Sequence, residues 1–385
     1  MDEIRFGELY EIPSSNGLSR PSAVRGEGYK MVNMGELFAN NIILDMEMER
    51  VKMSEKELQK FLLKDGDLLF ARQSLVASGA GKCSIVKALS EETTFESHLI
   101  RVRLNNRVAN PWYYYYLFQL PYNPVKTIVN QCAQAGIRGS ELVNIKVPLL
   151  DLQKQTKIAS ILSAYDDLIE NNNKRIKILE QMAENLYKEW FVRFRFPGYE
   201  TAEFENGIPK GWEIKKLGSL CKIITGKKDV NEAKGDGKYP FFTCSRETNT
   251  FTDEYILDEN AILISGNGSY TGFVKKYSGK FDLYQRTYAL FGLKKHLWLY
   301  LYWAMKINFE REFMGGSRGS AIPYITKPNI EKFEIVVPNE NLLCECKNIF
   351  ESINDICSNL TKQNQNFIKQ RDMLLPRLMS GKLEV

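Results

Sequence analysis

The sequence predicts an α+β fold in which two similar α/β domains are separated by two long antiparallel coiled-coil spacer helices, as a pseudo-two-fold internal repeat. The motif Ile145-Lys146-Val147-Pro148 returns as Ile335-Val336-Val337-Pro338, and each copy precedes a long stretch of helical periodicity. The two prolines lie 338 − 148 = 190 positions apart, about half of the 385 residues. Such a duplication suits a partner that itself has two parts.

Each half begins with comparable short strands. Residues 6–12 resemble residues 217–223, and residues 64–70 resemble residues 258–264. A loop of small residues, a β-rich run and an aromatic helix follow in both halves. Because Gly, Asn and Asp interrupt the apolar runs often, we expect short strands in a mixed α/β domain.

Two long amphipathic helices follow the repeated motif. Apolar side chains recur every three or four residues from Ile158 to Trp190 and from Ile349 to Leu378, as heptad-like stripes. A helix over residues 153–192 would span roughly 60 Å, too long for one small domain to cover. The stripes therefore cover each other, antiparallel if a two-fold axis relates the halves. Amides at residues 171–173 and 363–364 either fix the register as buried groups or lie in solvent.

These elements divide the chain into four regions. We expect domains over residues 1–150 and 198–338, and helical regions over 151–197 and 339–385. Pro and Gly near residues 197–198 and 207–211 predict the linker that ends the first helix and opens the second domain.

The composition is that of an ordinary globular protein, with 44% hydrophobic residues, 26% charged residues and a net charge of +5. Every predicted region is close to neutral, so a non-specific nucleic-acid-wrapping protein is disfavoured and any DNA contact must come from local basic loops. The seven cysteines are scattered and odd in number, which predicts reduced thiols. With no leader and no long apolar run, we expect a cytoplasmic protein without membrane contact.

Motifs for catalysis and cofactors are weak. His98 and His296 are the only histidines and belong to different halves, so we predict no metal site and no catalytic histidine. Residues 78–83 resemble a phosphate loop, but Val76 and Cys83 break its pattern. Asn110-Pro111-Trp112-Tyr113 resembles the signature of amino-methyltransferases. Because no glycine-rich cofactor loop accompanies it, we interpret Asn110 as a helix N-cap followed by Pro111 at the first helical position.

Several motifs together closely resemble the DNA-specificity subunit of type I restriction-modification systems, over the whole chain. The sequence departs from the family pattern at residues 151–153 and 339–341, which affects the helix starts only. The motifs that carry the resemblance are Val147-Pro148-Leu149-Leu150-Asp151-Leu152-Gln153-Lys154-Gln155, Ile158-Ala159-Ser160-Ile161-Leu162, Leu186-Tyr187-Lys188-Glu189-Trp190-Phe191-Val192-Arg193-Phe194, Pro209-Lys210-Gly211-Trp212 and Leu374-Leu375-Pro376-Arg377-Leu378-Met379-Ser380-Gly381-Lys382-Leu383.

The resemblance implies a subunit without catalytic activity. It implies two target-recognition domains that read a bipartite double-stranded DNA site, held apart by spacer helices. It also implies two methyltransferase (modification) subunits and motor-nuclease (restriction) subunits as partners. No cofactor is expected in this chain, whereas S-adenosylmethionine, ATP and Mg are expected in those partners.

The recognition domains vary within such a family, so candidate DNA contacts come from physical reasoning alone. We look for Arg, Lys, Asn, Gln, Ser and Tyr in Gly-rich loops that could enter a groove, above all near residues 72–82, 265–272 and 315–320. The candidates are Ser15, Asn16, Arg20, Arg25, Arg72, Gln73, Ser74, Ser78 and Lys82 in the first half, and Lys227, Lys228, Arg246, Asn267, Ser269, Tyr270, Ser317 and Arg318 in the second.

Alternatives remain at two levels. Trp190, Phe191 and Phe194 could anchor a methyltransferase partner or cover the joint with the second domain. For the whole chain, the alternatives are the specificity subunit of a combined enzyme that cuts beside its site, a DNA methyltransferase in its own right, and a coiled-coil scaffold that ignores DNA.

Overall fold

The protein forms two compact units. The structure is a computed structural model and describes residues 2–21, 25–74, 79–131, 135–314 and 324–384. Unit 1 combines Met1–Asn171 with Gln363–Val385, and unit 2 is Asn172–Lys362. Each unit therefore contains part of both long helices.

Unit 1 is a mixed α/β domain around a five-stranded sheet of order β2-β10-β6-β8-β4. Smaller sheets pair β1 with β13, β3 with β5 and β9, and β12 with β7 and β11. Its strands and short helices are β1 (Glu3–Arg5), β2 (Tyr10–Asn16), β3 (Arg25–Val32), α1 (Met34–Ala39), β4 (Ile42–Ile43), β5 (Arg50–Val51), α2 (Glu55–Phe61), β6 (Leu68–Ala71), β7 (Gln73–Ser74), β8 (Cys83–Val86), β9 (Thr93–Phe95), β10 (Leu99–Leu104), α3 (Pro111–Gln119), β11 (Asn130–Gln131), β12 (Ala135–Gly136), α4 (Gly139–Leu142) and β13 (Lys146–Pro148).

The core of unit 1 lies between the central sheet and the tyrosine-rich helix α3. Every residue of β6 and β8 is buried, including Ser84, whose hydroxyl donates to Asn40 O at 2.7 Å. Asn110 caps α3, because its side-chain oxygen accepts hydrogen bonds from Trp112 N at 3.0 Å and Tyr113 N at 3.3 Å. The predicted cap is confirmed. The Tyr114 hydroxyl donates to Pro148 O at 3.1 Å and ties α3 to the last strand of the domain.

Unit 2 repeats this plan with a six-stranded sheet of order β17-β22-β20-β21-β18-β19. Here β14 pairs with β15, and β16 with β23. The elements of unit 2 and the two long helices are α5 (Leu152–Tyr187), β14 (Phe204–Glu205), β15 (Ile208–Pro209), β16 (Glu213–Lys216), β17 (Lys222–Thr225), β18 (Tyr239–Phe242), β19 (Phe251–Thr252), β20 (Leu257–Ser265), β21 (Val274–Leu283), β22 (Thr287–Phe291), α6 (Trp298–Ala304), α7 (Glu310–Phe313), α8 (Lys327–Glu331), β23 (Glu334–Val337) and α9 (Glu340–Met379).

Helix α6 has the role in unit 2 that α3 has in unit 1. All seven of its residues are buried. The hydroxyl of Tyr300 donates to the carbonyl of Val336 in β23, just as Tyr114 bonds the end of β13. The sequence repeat is thus reproduced in the order of the elements and in a specific contact.

The two long helices occur where the periodicity predicts them. A π-helical turn over Lys188–Val192 continues α5, so the helical segment ends where residues 153–192 were expected to end. Of the mid-helix amides, Asn172 and Asn364 are buried, whereas Asn171, Asn173 and Gln363 are exposed. The prediction of two long helices is confirmed. Exposure in solvent holds for three of the amides, and a role of the two buried amides in fixing the register stays a prediction.

Candidate nucleic-acid interface

Four loops of unit 1 are joined by backbone hydrogen bonds at one end of the central sheet. Ser97 N donates to Leu18 O at 2.9 Å, Arg72 N to His98 O at 2.8 Å, and Ile137 N to Arg72 O at 2.9 Å. We call the described residues of these loops, 14–20, 72–74, 79–82, 96–98 and 136–139, the first loop frame. It brings together candidates as far apart in the sequence as Ser15 and Lys82, 82 − 15 = 67 positions.

Unit 2 contains the same arrangement. Gln285 N donates to Lys228 O at 3.0 Å, Gly266 N to Arg286 O at 2.9 Å, and Ile325 N to Gly266 O at 2.8 Å. We call residues 226–228, 243–246, 266–272, 284–286 and 324–326 the second loop frame. Each of these three bonds has its counterpart in the first loop frame, so the repeat extends to individual hydrogen bonds.

One glycine in each frame holds two loops in close contact. A Cβ atom on Gly17 would lie 2.0 Å from Phe95 O, and one on Gly226 would lie 1.7 Å from Leu283 O. Real Cβ atoms do not approach other atoms so closely, so only glycine fits at these places. Each frame therefore requires glycine at this position because of close backbone packing. This requirement does not restrict the neighbouring side chains.

Two candidate arginines of the first half, Arg20 and Arg25, are bound to carboxylates. Arg20 pairs with Glu57, and the guanidinium of Arg25 donates to Glu49 Oε2 at 2.6 Å and to Arg20 O at 2.9 Å. A backbone hydrogen bond from Ser54, together with the Arg20 pair, lowers the pKa of Glu57 to about 2. These two arginines thus order the start of the domain, and a DNA contact would have to compete with their carboxylates.

The other first-half candidates lie around the loop after β6. Arg72 Nη1 reaches Ser97 O at 3.5 Å, and no carboxylate pairs with Arg72 among the residues that the structure describes. Gln73 Oε1 lies 3.1 Å from His98 Nδ1. Lys82 Nζ donates to Phe38 O at 2.6 Å, and burial lowers the pKa of this lysine. Ser15 and Asn16 end β2, Ser74 ends β7, and Ser78 lies outside the described residues.

The three candidate cations of the second loop frame, Lys227, Lys228 and Arg246, differ in the groups that contact them. Lys228 Nζ donates to Asp282 at 2.7 Å and to Glu254 at 3.0 Å, and these bonds raise its pKa. Lys227 is exposed and has no carboxylate partner in the described part of the chain. The guanidinium carbon of Arg246 lies 5.0 Å from the ring centre of Tyr270. A planar guanidinium against a ring is held in place while its edge stays available.

Three further candidates of the second half, Asn267, Ser269 and Tyr270, occupy the turn between β20 and β21. Asn267 forms a backbone bridge with Tyr324, as Gln73 does with Gly136 in the first frame. Ser269 and Tyr270 are exposed at the tip of this turn. Ser317 and Arg318 lie outside the described residues, as does the predicted loop over residues 315–320.

Two exposed side chains at the centre of the frames were absent from the predicted candidates. His98 was considered only for catalysis or metal binding, and Arg286 was not considered. Both precede a central strand, and both accept the equivalent backbone hydrogen bond. They are 188 positions apart, so the repeat spacing was the signal that could have found them.

The aromatic residues at the end of the first helix pack inside unit 2. Phe191 is 5% exposed and lies 5.9 Å from Trp212 and 4.8 Å from Tyr300, measured between ring centres. Phe194 packs on Trp212 at 5.6 Å, while Trp190 is partly exposed. These contacts favour the covering role for Phe191; an anchor for a partner stays a prediction.

Within the described ranges, no three His, Cys, Asp or Glu side chains come together as a metal site. Among those same residues, no helix has both the length and the apolar character needed to span a bilayer.

Comparison with known proteins identifies the family. The family model described as type I restriction modification DNA specificity domain matches residues 1–181 and 209–370. The type I restriction enzyme EcoDI specificity subunit of Escherichia coli is 35% identical over 182 residues, which are 46% of this chain and 39% of that protein. The chain thus spans about two fifths of the length of that relative. The MjaIX specificity subunit of Methanocaldococcus jannaschii is 29% identical over 301 residues, or 71% of this chain and 69% of that protein.

A solved structure shows the same fold over the full length. The crystal structure of the type I restriction-modification system S subunit from M. genitalium superposes with a TM-score of 0.57 at 14% identity, covering 98% of this chain and 95% of the other. Because the family model matches both halves of the sequence, the chain belongs to the type I restriction-modification DNA specificity family.

Proposed function

We propose that this chain reads a bipartite double-stranded DNA site, with one half-site for each loop frame, and has no catalytic activity of its own. The observation that carries the proposal is the repeated loop frame. The backbone hydrogen bonds of the two frames are equivalent, whereas the side chains at matching positions differ, as in the half-buried Gln73 and Asn267 or the exposed His98 and Arg286. A repeated scaffold with different side chains is what two readers of different sequences require.

The chemistry of the frames fits a DNA groove. Arg72, Arg246 and Arg286 can each offer a bidentate guanidinium to the O6 and N7 of guanine, and Gln73 and Asn267 can pair with adenine in the same way. Since the whole chain carries a net charge of only +5, the affinity must come from such local groups.

The long helices support a role as spacers. Helix α5 has 36 residues and α9 has 40, so each extends over about 54–60 Å. Each unit combines opposite ends of the two helices, which is the arrangement expected of antiparallel pairing. Half-sites about one DNA turn apart, near 34 Å, lie within this reach. We therefore propose that helix length sets the number of unread base pairs.

Equivalent exposed apolar residues support docking of two copies of one partner. Leu168 on α5 is 46% exposed, and Ile356, 188 positions later on α9, is 43% exposed. We propose that two methyltransferase subunits bind at these helix surfaces and supply S-adenosylmethionine chemistry. Motor-nuclease subunits that use ATP and Mg would join the same complex.

The proposal is tested by mapping methylated adenines made by the complex of this chain with its modification subunits. Gln73→Ala with His98→Ala should relax one half-site, and Asn267→Ala with Arg286→Ala should relax the other. The number of base pairs between the half-sites should stay constant in both variants. Loss of specificity in both half-sites from either variant would contradict one frame for each half-site.

A length variant tests the spacer role separately. One added helical turn near Asn172, matched by a turn near Asn364, should lengthen the unread spacer and leave both half-sites unchanged. Unchanged spacing in the methylation map would refute the spacer role without affecting the loop frames.

The alternative functions have their own tests. Methyl transfer from a labelled donor to DNA by the lone chain would establish a methyltransferase, although the Asn110 amide is already engaged as a helix cap. Absence of binding to a duplex that contains the methylated site, even at low salt and with the partners present, would favour a scaffold that ignores DNA. A combined cutting enzyme would show a fused nuclease and methyltransferase in the purified complex.

A further inference from the structure

The two helix ends can be compared position by position. Leu162 of α5 and Phe350 of α9 are buried in the cores of units 1 and 2, and they lie 188 positions apart. Tyr187 and Leu375 are buried in the cores of units 2 and 1 at the same spacing. A shift of 188 residues thus relates each helix of one unit to its counterpart in the other.

Unit 1 contains a buried ion pair between its two helical segments. Asp166 on α5 accepts hydrogen bonds from Arg371 Nη1 on α9 at 2.5 Å and from the hydroxyl of Tyr116 on α3 at 2.5 Å. The side chain of Asp166 is 6% exposed and that of Arg371 is 20% exposed. Arg371 also donates to Asp372 at 2.8 Å. The carboxylate is therefore satisfied only when both helices are present.

Unit 2 has no such pair at the equivalent positions. The 188-residue shift relates Asp166 to Asn354 and Arg371 to Ala183. Ala183 is buried in the core of unit 2. At these two equivalent positions, the ion pair of unit 1 therefore has no counterpart in unit 2.

We propose that the Asp166–Arg371 pair makes each half of the chain select the other half over a second copy of itself. In a pairing of two first halves, the position opposite Asp166 would be Ala183, and the buried carboxylate would lose its cation. In a pairing of two second halves, Arg371 would lie opposite Asn354. The buried carboxylate of a first-half pair would be unpaired, which is strongly unfavourable, while Arg371 in a second-half pair would keep only its bond to Asp372. The two neutral positions tolerate either neighbour.

This pairing selectivity explains how a duplicated chain avoids joining like halves. Two similar halves have similar apolar stripes, so packing alone discriminates weakly between self-pairing and mixed pairing. One buried charge pair present at a single end removes that ambiguity. Selection between helix pairs in this way does not depend on what the loop frames bind.

The test uses the full chain, folded first and then cut at a protease site placed between residues 198 and 207. Two preparations with different tags on the first half are mixed and allowed to exchange. Capture of one tag then measures how much first half carrying the other tag is bound. For the natural sequence we expect second halves to dominate, with little first-half self-pairing.

The near-isosteric variant Asp166→Asn with Arg371→Gln removes both charges. We expect first-half self-pairing to rise by about tenfold or more, with little change in the melting temperature of the uncut chain. The matched control is Lys87→Met, because Lys87 pairs at 2.7 Å with Asp167 and with Glu170, all within the first half. Self-pairing leaves those ion pairs intact, so this control should not change selectivity.

A second variant leaves unit 1 untouched. Ala183→Arg with Asn354→Asp would place the same pair in unit 2, so that Asp166 finds an arginine in a first-half pair and Arg371 finds an aspartate in a second-half pair. We expect self-pairing to rise here as well. If either variant folds and self-pairing stays at the level of the natural sequence, the proposal is wrong.

Discussion

The two loop frames share their backbone but differ in the charge they present. At one matched position the first frame has the imidazole of His98, bonded to Gln73, while the second frame has the guanidinium of Arg286. The flanking arginines of the first half, Arg20 and Arg25, are neutralised by carboxylates. Arg246 and Lys227 have no carboxylate partner among the described residues. The scaffold is therefore fixed by backbone geometry, and under the proposed function the side chains that the scaffold does not constrain set what each frame recognises.

The largest expected effect comes from breaking one frame at its glycine. Gly226→Ala pushes a Cβ against Leu283 O, and Gly17→Ala pushes one against Phe95 O. Each change should cost about 3 kcal/mol of stability, as overpacking does, and abolish recognition of one half-site. Thermal unfolding and methylation mapping would measure both effects.

Two other glycines provide matched controls for this comparison. A Cβ on Gly35 or Gly235 would meet no atom within 4 Å. Gly35→Ala and Gly235→Ala should therefore leave stability and both half-sites almost unchanged. If Gly226→Ala behaved like Gly235→Ala, the close contact would not be what holds the second frame together.

Single side chains of the second frame should have the next largest effect. Arg286→Ala or Arg246→Ala should each cost about 1–3 kcal/mol of DNA-binding free energy if the arginine reads a base, with relaxed specificity at one position. Lys228→Ala should instead lower stability, because Asp282 is buried and would lose its cation. Equal loss of affinity for all sequences would show that an arginine contacts phosphate.

The difference in charge between the frames also predicts a difference in salt dependence. Replacing Lys227 by alanine should reduce the slope of log affinity against log salt by about 1, since it removes one exposed cation. Arg20→Ala should leave the slope nearly unchanged, because Glu57 already neutralises that arginine. Binding titrations at several salt concentrations compare the two variants directly, and equal slopes would argue against the asymmetry.

The architecture could be predicted because its signals are local and repeated. Periodic apolar residues place α5 and α9, and the dipeptide Asn110-Pro111 places the start of α3. The family resemblance was established by the same repeated motifs. Short-range physical rules therefore suffice for these elements.

The candidate site was harder to predict because its contacts join distant residues. Glu57 lies 37 positions from Arg20, and Glu49 lies 24 positions from Arg25, so the sequence did not show that these arginines are neutralised. His98 and Arg286 owe their central places to hydrogen bonds with Arg72 N and Gly266 N, which depend on the folded sheet. Residue type and loop composition could select the loops but not the side chains within them.

The smallest expected effect concerns two lysines, one in each unit, whose ammonium groups donate to backbone carbonyls. Lys82 Nζ donates to Phe38 O at 2.6 Å, and Lys275 Nζ to Ser245 O at 2.8 Å, while burial lowers the pKa of each. A lysine with a lowered pKa binds fewer protons in the folded state than in the unfolded state. The unfolding free energy should therefore rise with pH between the lowered pKa of the folded state and the lysine pKa of the unfolded state, about 10.4.

Replacing either lysine by methionine removes that lysine's contribution to the rise of the unfolding free energy with pH. Lys82→Met and Lys275→Met should each change stability near neutral pH by about 0.5 kcal/mol, because the relief of burying a charge offsets the lost bond to a carbonyl. Denaturant unfolding at about pH 8 and about pH 10 would show a flatter profile in both variants than in the natural protein. A flatter profile in only one of them would mean that the two units hold these lysines differently, so that the equivalence of the frames ends at the hydrogen bonds of the backbone.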